Sequence, residues 1–194
     1  MSCVRHGVTE LNLRGVFSGS GGEGITPDQR AALGGVVFDP TVFDAVYSSP
    51  AVRCLETAAA LGVSTYLVDP RLAERHFGIF DGLPVEECRD RYPEEFEAFK
   101  RLDADFAIPG GESRAQHLAR TVDWLREVGV HARVLAFTHG GTIDFLHRLG
   151  SGHPLHGGDQ VFAGPNAAIS EFDVSWPRVS MVRHGVPLAP ATWP

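Results

Sequence analysis

Arg5, His6 and Gly7 stand together directly after the short apolar run Cys3-Val4. A guanidinium beside an imidazole, followed by a glycine that lets backbone approach a ligand, suits an anionic, oxygen-rich group such as phosphate. The tripeptide is not unique, since Arg183-His184-Gly185 repeats it near the other end. With this Arg, His and Gly content, roughly one chain in twelve would carry the tripeptide by accident. Residues elsewhere must decide which copy matters.

Two further groups have the same chemical character. Arg53 falls in the first turn of a helix expected after the strand Ala45-Ser48, and His139-Gly140-Gly141 follows the expected strand Val134-Thr138. If these strands run parallel to Ser2-Val4, two arginines, two histidines and helix N-terminal amides converge at the carboxyl edge of one sheet, where α/β proteins bind ligands. That is a dianion site with excess positive charge. A neutral imidazole nitrogen is also a competent nucleophile towards phosphorus. The arginines would stabilise charge on the transferring phosphoryl group. A leaving alkoxide needs a proton, so a carboxylic acid should be near. Glu74, just past the expected strand Thr65-Val68, is a candidate by position, and Asp69, Asp81 and Glu112 compete with it.

The elements that must hold these groups alternate between short apolar runs and helical segments, an α/β pattern. Thr26-Pro27-Asp28-Gln29 reads as a helix start, with Thr26 as N-cap and Pro27 at the first helical position. Ser49-Pro50 opens a helix through Leu61, closed by Gly62. Pro84 to Arg101 is charged and interrupted by Pro93, hence two short helices. Gly110-Gly111-Glu112-Ser113 caps a helix with Leu118, Val122 and Leu125 on one face. A helix from Gly140-Gly141 ends at Leu149-Gly150. Ile169-Val174 and Val179-Val182 close the chain as strands, and Pro187-Pro194 reads as a surface tail.

The 194 residues suit one domain with a sizeable core, 43% of them apolar and 21% charged. A net charge of -7 argues against a general nucleic-acid binder. Lys100 is the sole lysine, which a compositional bias towards arginine explains. No run approaches the ~20 apolar residues that span a bilayer, and no basic-then-apolar leader is evident. Cys3, Cys54 and Cys88 are odd in number and widely spaced, which fits reduced thiols in a cytoplasmic protein. His147, His153 and His156 match no zinc spacing, so no metal is expected. His76 and His117 are expected at the surface.

Taken in order, these segments resemble the histidine phosphatase superfamily, in particular its phosphoglycerate-mutase-like branch of small bacterial phosphatases. The residues that carry the resemblance are Val4-Arg5-His6-Gly7-Val8-Thr9 with Asn12, Ser49-Pro50 with Arg53 and Thr57-Ala58, and Glu74-Arg75 with Gly78 and Asp81-Gly82. Arg91-Tyr92-Pro93, Pro109-Gly110-Gly111-Glu112-Ser113, Thr138-His139-Gly140-Gly141 and Asn166-Ala167-Ala168-Ile169 complete the series. The resemblance implies a three-layer α/β sandwich with a central, mostly parallel sheet, helices on both faces and a small helical cap inserted at about residues 75–112 of a single domain, 1–194. It implies that His6 is a nucleophile carrying a phosphoryl group. Arg5, Arg53 and His139 would hold the phosphoryl oxygens, assisted by Asn12 and the Gly140 amide, and Glu74 would be the proton donor and then the base. Thr9, Ser18 and Gly19 are expected to touch substrate. No cofactor or metal is needed, because arginines and the second histidine take a cation's role.

The chain departs from the family pattern in places. Phe80 and Asp81 stand where Trp and Glu are usual, which would reshape the floor beside Glu74. Val8 replaces a commonly polar residue. Ser18-Gly19 stands where small phosphatases often have Gln-Gly, and Gly21-Gly22-Glu23-Gly24 replaces an acidic turn. These changes bear on substrate identity. Arg183 and His184 lack a Thr-x-x-Asn continuation and are expected to be structural. The expected activity is hydrolysis of a small phosphorylated metabolite. Phosphoglycerate mutase activity and non-catalytic binding of a phosphoryl ligand are the alternatives, and a homodimer is open.

Overall fold

Six strands form one sheet in the computed structural model, which describes residues 1–19, 21–129, 133–157 and 161–189. In chain order the elements are β1 (Ser2–Arg5), α1 (Glu10–Leu13), α2 (Pro27–Gly34), β2 (Ala45–Ser48), α3 (Val52–Ala60), β3 (Leu67–Val68), α4 (Val85–Arg91), α5 (Pro93–Lys100), α6 (Arg114–Val128), β4 (Val134–Thr138), α7 (Gly140–Ser151), β5 (Ala168–Ser175) and β6 (Arg178–Pro187). The strand order is β3-β2-β4-β1-β5-β6. β1, β2, β3 and β4 are mutually parallel where they pair, while β5 and β6 add antiparallel.

Period-two alternation in the central strands builds two cores, because successive side chains point to opposite faces. Val4, Leu135 and Phe137 join Leu33, Cys54 and Ala58 from α2 and α3 on one face. Cys3, Val134 and Ala136 join Trp124, Leu125, Ile143 and Leu146 from α6 and α7 on the other. The result is the three-layer α/β sandwich. None of the helices among the described residues is long and apolar enough to cross a membrane.

The expected caps form as chemistry dictates. Thr26 accepts from the Gln29 N–H at 3.2 Å, with Pro27 opening α2. Ser113 and Gln116 form a reciprocal capping box at α6. Three details differ from expectation. The edge strand β3 retains only Leu67–Val68, both exposed. β6 runs on to Pro187, whose partner is Ala168, so the second Arg-His-Gly lies inside an edge strand and not beyond it. The expected tail lies outside the described residues from Pro190 onwards. Finally, the buried stripe of α6 is Arg114, His117, Thr121, Trp124, Leu125 and Val128, while Leu118 and Val122 are only half-buried.

Helices α4 and α5 belong to a separate aromatic cluster. Phe80 is fully buried at its centre, with Phe17, Phe96, Phe99 and Tyr92 at ring distances of 5.5, 6.1, 6.0 and 6.1 Å. Phe80 therefore fills the cap's interior and does not floor Glu74. The cap is tied where its chain leaves and returns: Ile79 N–H donates to Pro109 O at 3.0 Å, and Glu112 N–H to His76 O at 2.8 Å. Gly78 sits in this neck with φ +54°, and a Cβ there would lie 2.2 Å from Pro109 O. Both the left-handed backbone and the close approach exclude a side chain. Gly78→Ala is expected to cost about 2 kcal/mol or more in a urea-unfolding titration. An unchanged midpoint would contradict this account of the neck.

Candidate active site

The register of the parallel strands decides which side chains meet. Arg5 is paired with Thr138, His6 N–H donates to Thr138 O at 3.0 Å, and Ser49 N–H to Phe137 O at 2.9 Å. The residues leaving β1, β2 and β4 therefore emerge side by side at one carboxyl edge. The rings of His6 and His139 lie 5.2 Å apart there, both almost fully buried.

The hydrogen bonds settle each tautomer on chemical grounds. Gly7 O is 2.8 Å from His6 Nδ1, and a carbonyl can only accept. Nδ1 thus carries the proton and Nε2 keeps its lone pair. Burial first, then the Arg53 guanidinium, pushes the His6 pKa down to about 3, against the weaker effect of Gly7 O. His6 is neutral at physiological pH. In His139 the roles are reversed: Arg53 Nη2 donates to Nδ1 at 3.1 Å, so Nε2 carries the proton and donates to Ser49 Oγ at 2.8 Å. Burial, then Arg53, holds His139 well below the ordinary imidazole range.

Arg53 is the hub. Besides His139, it donates to Ser18 O (3.2 Å), Gly19 O (2.8 Å), Gly21 O (2.9 Å) and Ser18 Oγ (3.1 Å). Ser18, Gly19 and Gly21 thus meet Arg53 with their carbonyls, which places Ser18 and Gly19 against the arginine expected to bind phosphate. Arg5 donates to Gly164 O. Gly140, at the start of α7, lets Ala163 approach closely, since a Cβ there would be 2.9 Å from Ala163 Cβ, and it stands in ordinary contact with Arg5.

The four competing carboxylates now separate. Asp69 caps its own turn and pairs with Arg71. Glu112 pairs with Arg120 at 2.8 Å. Asp81 accepts from Gly19 N–H at 2.6 Å and Phe77 N–H at 3.2 Å, pinning Gly19 to the cap. Glu74 alone of the four lines the same cavity as Arg5 and Gly140. Its oxygens accept from Arg75 N–H at 2.9 Å and Gly141 N–H at 3.2 Å. A larger hollow of about 570 Å³ beside β2 and β3 holds none of these residues.

Asn12 and Thr9 act from beneath. Thr9 caps α1, with its hydroxyl accepting from Asn12 N–H at 3.2 Å, and is 1% exposed, so its oxygen serves the helix. Asn12 Oδ1 accepts from Thr9 N–H and from Asn166 Nδ2, both at 3.2 Å, and Asn166 also donates to His6 O at 3.0 Å. Three positioning groups carry no role in the sequence reading: Ser49 on His139, Asn166 on His6 O, and Thr57, whose Oγ1 accepts from Gly7 N–H at 2.8 Å. All three stand in motifs that carry the family resemblance, but their partners lie 50, 90 and 160 residues away, so nothing local assigns them a role.

His117 corrects the surface expectation. It is 1% exposed, 3.3 Å from Thr142 Oγ1, because α6 turns its 114–117–121 stripe inward. Arg75 and Arg114 are buried beside it and line the cavity of Arg5 and Glu74. The second Arg-His-Gly lies apart: Arg183 pairs with Glu171 and His184 packs 4.5 Å from the His147 ring. Seven buried side-chain polar atoms have no hydrogen-bond partner among the described residues, and four of them are nitrogens of Arg5, Arg53, Arg75 and Arg114. Buried donors of this kind are costly unless a ligand uses them.

A family model described as the histidine phosphatase superfamily, branch 1, matches residues 1–187. The chain belongs to this superfamily. A metal-independent phosphoserine phosphatase of Arabidopsis thaliana is 32% identical over 155 residues, 74% of this chain and 65% of that protein, so the chain spans slightly less than two thirds of this relative's length. A 2,3-bisphosphoglycerate-dependent phosphoglycerate mutase of Methylobacterium radiotolerans is 32% identical over 158 residues, 74% of each chain. The α-ribazole phosphatase of Shigella flexneri shares the fold, with a TM-score of 0.76, 20% identity and 95% of both chains covered.

In this histidine phosphatase chain, three buried imidazoles make a prediction about acid stability. His6, His139 and His117 are all held below the ordinary value, chiefly by burial, with Arg53 next for the first two and Arg120 for the third. Unfolded histidines titrate near 6.5, so below that pH the unfolded chain binds protons that the folded chain refuses. The stability present above pH 6.5 should therefore fall as the pH drops below it, by up to about 1.4 kcal/mol per pH unit for each histidine. Urea unfolding between pH 7.5 and 5 checks this, and a flat profile would contradict neutral burial.

Proposed function

We propose that this chain is a metal-independent phosphomonoesterase working through a phosphohistidine at His6, with a small phosphorylated metabolite as substrate. The observation that carries the reading is the His6 tautomer. Its Nδ1–H is held on Gly7 O, which leaves the Nε2 lone pair in the field of the Arg53 and Arg5 guanidiniums, and Arg5 in turn shares a cavity with the Glu74 carboxyl. In the first step Nε2 attacks phosphorus and the P–O bond to the alkoxide breaks, while Glu74 gives that oxygen its proton. In the second step Glu74 takes a proton from water, whose oxygen attacks phosphorus as the P–Nε2 bond breaks and inorganic phosphate leaves. Arg5 and Arg53 stabilise the equatorial oxygens in both. Substrate binding exchanges the carbonyls of Ser18, Gly19 and Gly21 on Arg53 for phosphoryl oxygens.

The mutase name of the Methylobacterium relative supports a second reading, in which the phosphoryl group returns to a rearranged substrate. Interconversion of 2- and 3-phosphoglycerate without phosphate release would decide for it.

Under the proposal, His6→Ala should lose essentially all turnover of an aryl phosphate, and equal rates in the two proteins would remove His6 as nucleophile. Glu74→Gln should slow alkyl phosphates by about 10²–10⁴ while affecting good leaving groups far less, because only the former need the proton. Gly141→Ala should resemble Glu74→Gln, since a Cβ there would lie 2.4 Å from Glu74 Oε1 and push the carboxyl aside. A loss that is uniform across leaving groups in both variants would sink the acid assignment.

A further inference from the structure

Glu74 lies between the main elements: β3 ends at Val68 and α4 begins at Val85, with only single 3₁₀ turns in the interval. Inside the first turn, Leu72 N–H and Ala73 N–H donate to Asp69 O and Pro70 O, both at 3.1 Å. The carbonyls of residues 71–74 must find partners elsewhere, because a carbonyl shielded from water is costly to leave unpaired. Leu72 O accepts from Thr138 Oγ1 at 2.9 Å. The other three converge on one side chain of α6. Arg120 Nη1 donates to Arg71 O and Ala73 O, both at 2.7 Å, and Nη2 donates to Glu74 O at 3.1 Å.

The remaining donors of Arg120 take the far side of the cap neck. Nε donates to Glu112 Oε1 and Nη2 to Glu112 Oε2, each at 2.8 Å. Glu112 N–H in turn donates to His76 O, just beyond Glu74, at 2.8 Å. A guanidinium carries five N–H groups in a fixed plane, and here all five are used. This separates Arg120 from Arg5, Arg53, Arg75 and Arg114, each of which keeps a buried nitrogen without a partner among the described residues. Arg120 has no donor left for a ligand. Its grip is on the backbone that carries the acid.

We infer that Arg120 is a positioning residue for the proton donor. The Glu74 carboxylate has two anchors, Arg75 N–H and Gly141 N–H. The first moves with the chain, so the carboxylate stays on Gly141, and in the cavity it shares with Arg5, only while the backbone at Glu74 is fixed. Arg120 fixes it. This role rests on the phosphomonoesterase reading and adds to it a residue that touches no substrate. A displacement of about 1 Å can cost roughly a hundredfold in rate. Here the loss should appear only where a proton must reach the leaving oxygen. Lysine, a point charge with three donors, cannot span three carbonyls and a bidentate carboxylate.

The readout is the ratio of kcat/KM for 4-nitrophenyl phosphate, an aryl ester, to that for glycerol 3-phosphate, an alkyl ester. Both are measured on one preparation, so any unfolded fraction cancels. Arg120→Lys should raise this ratio about ten- to hundredfold, in the direction of Glu74→Gln, with the alkyl loss falling in kcat. Glu112→Gln removes an acceptor from Nη2 and should shift the ratio the same way by a smaller factor. It carries the test alone should Arg120→Lys fail to fold. In the Glu74→Gln background, Arg120→Lys should change the ratio by less than about twofold, because the group it positions is gone. A ratio that both variants leave unchanged where Glu74→Gln raises it overturns the positioning role and leaves the phosphatase reading standing. Shifts that multiply in the double variant overturn it too, since Arg120 would then act without Glu74. A ratio that Glu74→Gln itself leaves unchanged removes the acid assignment and this role with it.

Discussion

Two imidazoles held neutral against buried guanidiniums are the constraint on which the rest of the site depends. His6 and His139 are almost fully buried, and Arg53 acts on both. A guanidinium does not release its proton under these conditions, so the imidazoles yield theirs. Neutrality alone would leave the choice of nitrogen open. Gly7 O makes that choice for His6, and Arg53 with Ser49 makes the opposite one for His139. A phosphoryl nucleophile needs a lone pair at the exposed nitrogen and positive charge around it, and both follow from the same burial.

Maintaining this arrangement requires a polar layer inside an apolar sheet edge. Thr57, Asn12, Asn166 and Ser49 each satisfy a group on or beside the two histidines, so their rings and backbone are held from behind. Four of the seven buried polar atoms left over among the described residues belong to arginines: Arg5, Arg53, Arg75 and Arg114. Polar partners go to positioning the histidines, while these guanidinium nitrogens have none among the described residues. Gly19 and Gly21 stand on one side with their carbonyls on Arg53, and the Gly19 amide is on Asp81 of the cap neck. Loop and cap are thereby linked to the arginine at the centre.

Much of this was legible before any coordinates. The strand-then-motif series, the capping signals at Thr26 and Ser113, and the helix break at Pro93 all use local chemistry that a short window contains. Position alone left Glu74 among four carboxylates and the family resemblance singled it out; that it alone of the four lines the cavity depends on where Asp69, Asp81 and Glu112 find partners. Phe80 read as a change to the floor of the site, but aromatic packing draws it into the cap. On α6 the apolar positions Leu118 and Val122 suggested one face. The helix instead buries Arg114, His117 and Thr121, which a hydrophobicity pattern scores as solvent-facing. That rotation hid the inward-facing Arg114 and His117 from view.

The order of residues by itself determined the superfamily, the layered architecture and the candidates Arg5, His6, Arg53, Glu74 and His139, because each rests on spacing within an element or on a motif at a strand end. It also set aside the second Arg-His-Gly, through the motif that fails to follow it. Only the tertiary structure decided the tautomers, the sorting of the carboxylates, the carbonyl cover on Arg53 and the three carbonyls on Arg120. The physical reason is common to all four. Each depends on burial and on partners brought together across the sheet edge and the cap, and neither quantity exists until the chain has folded.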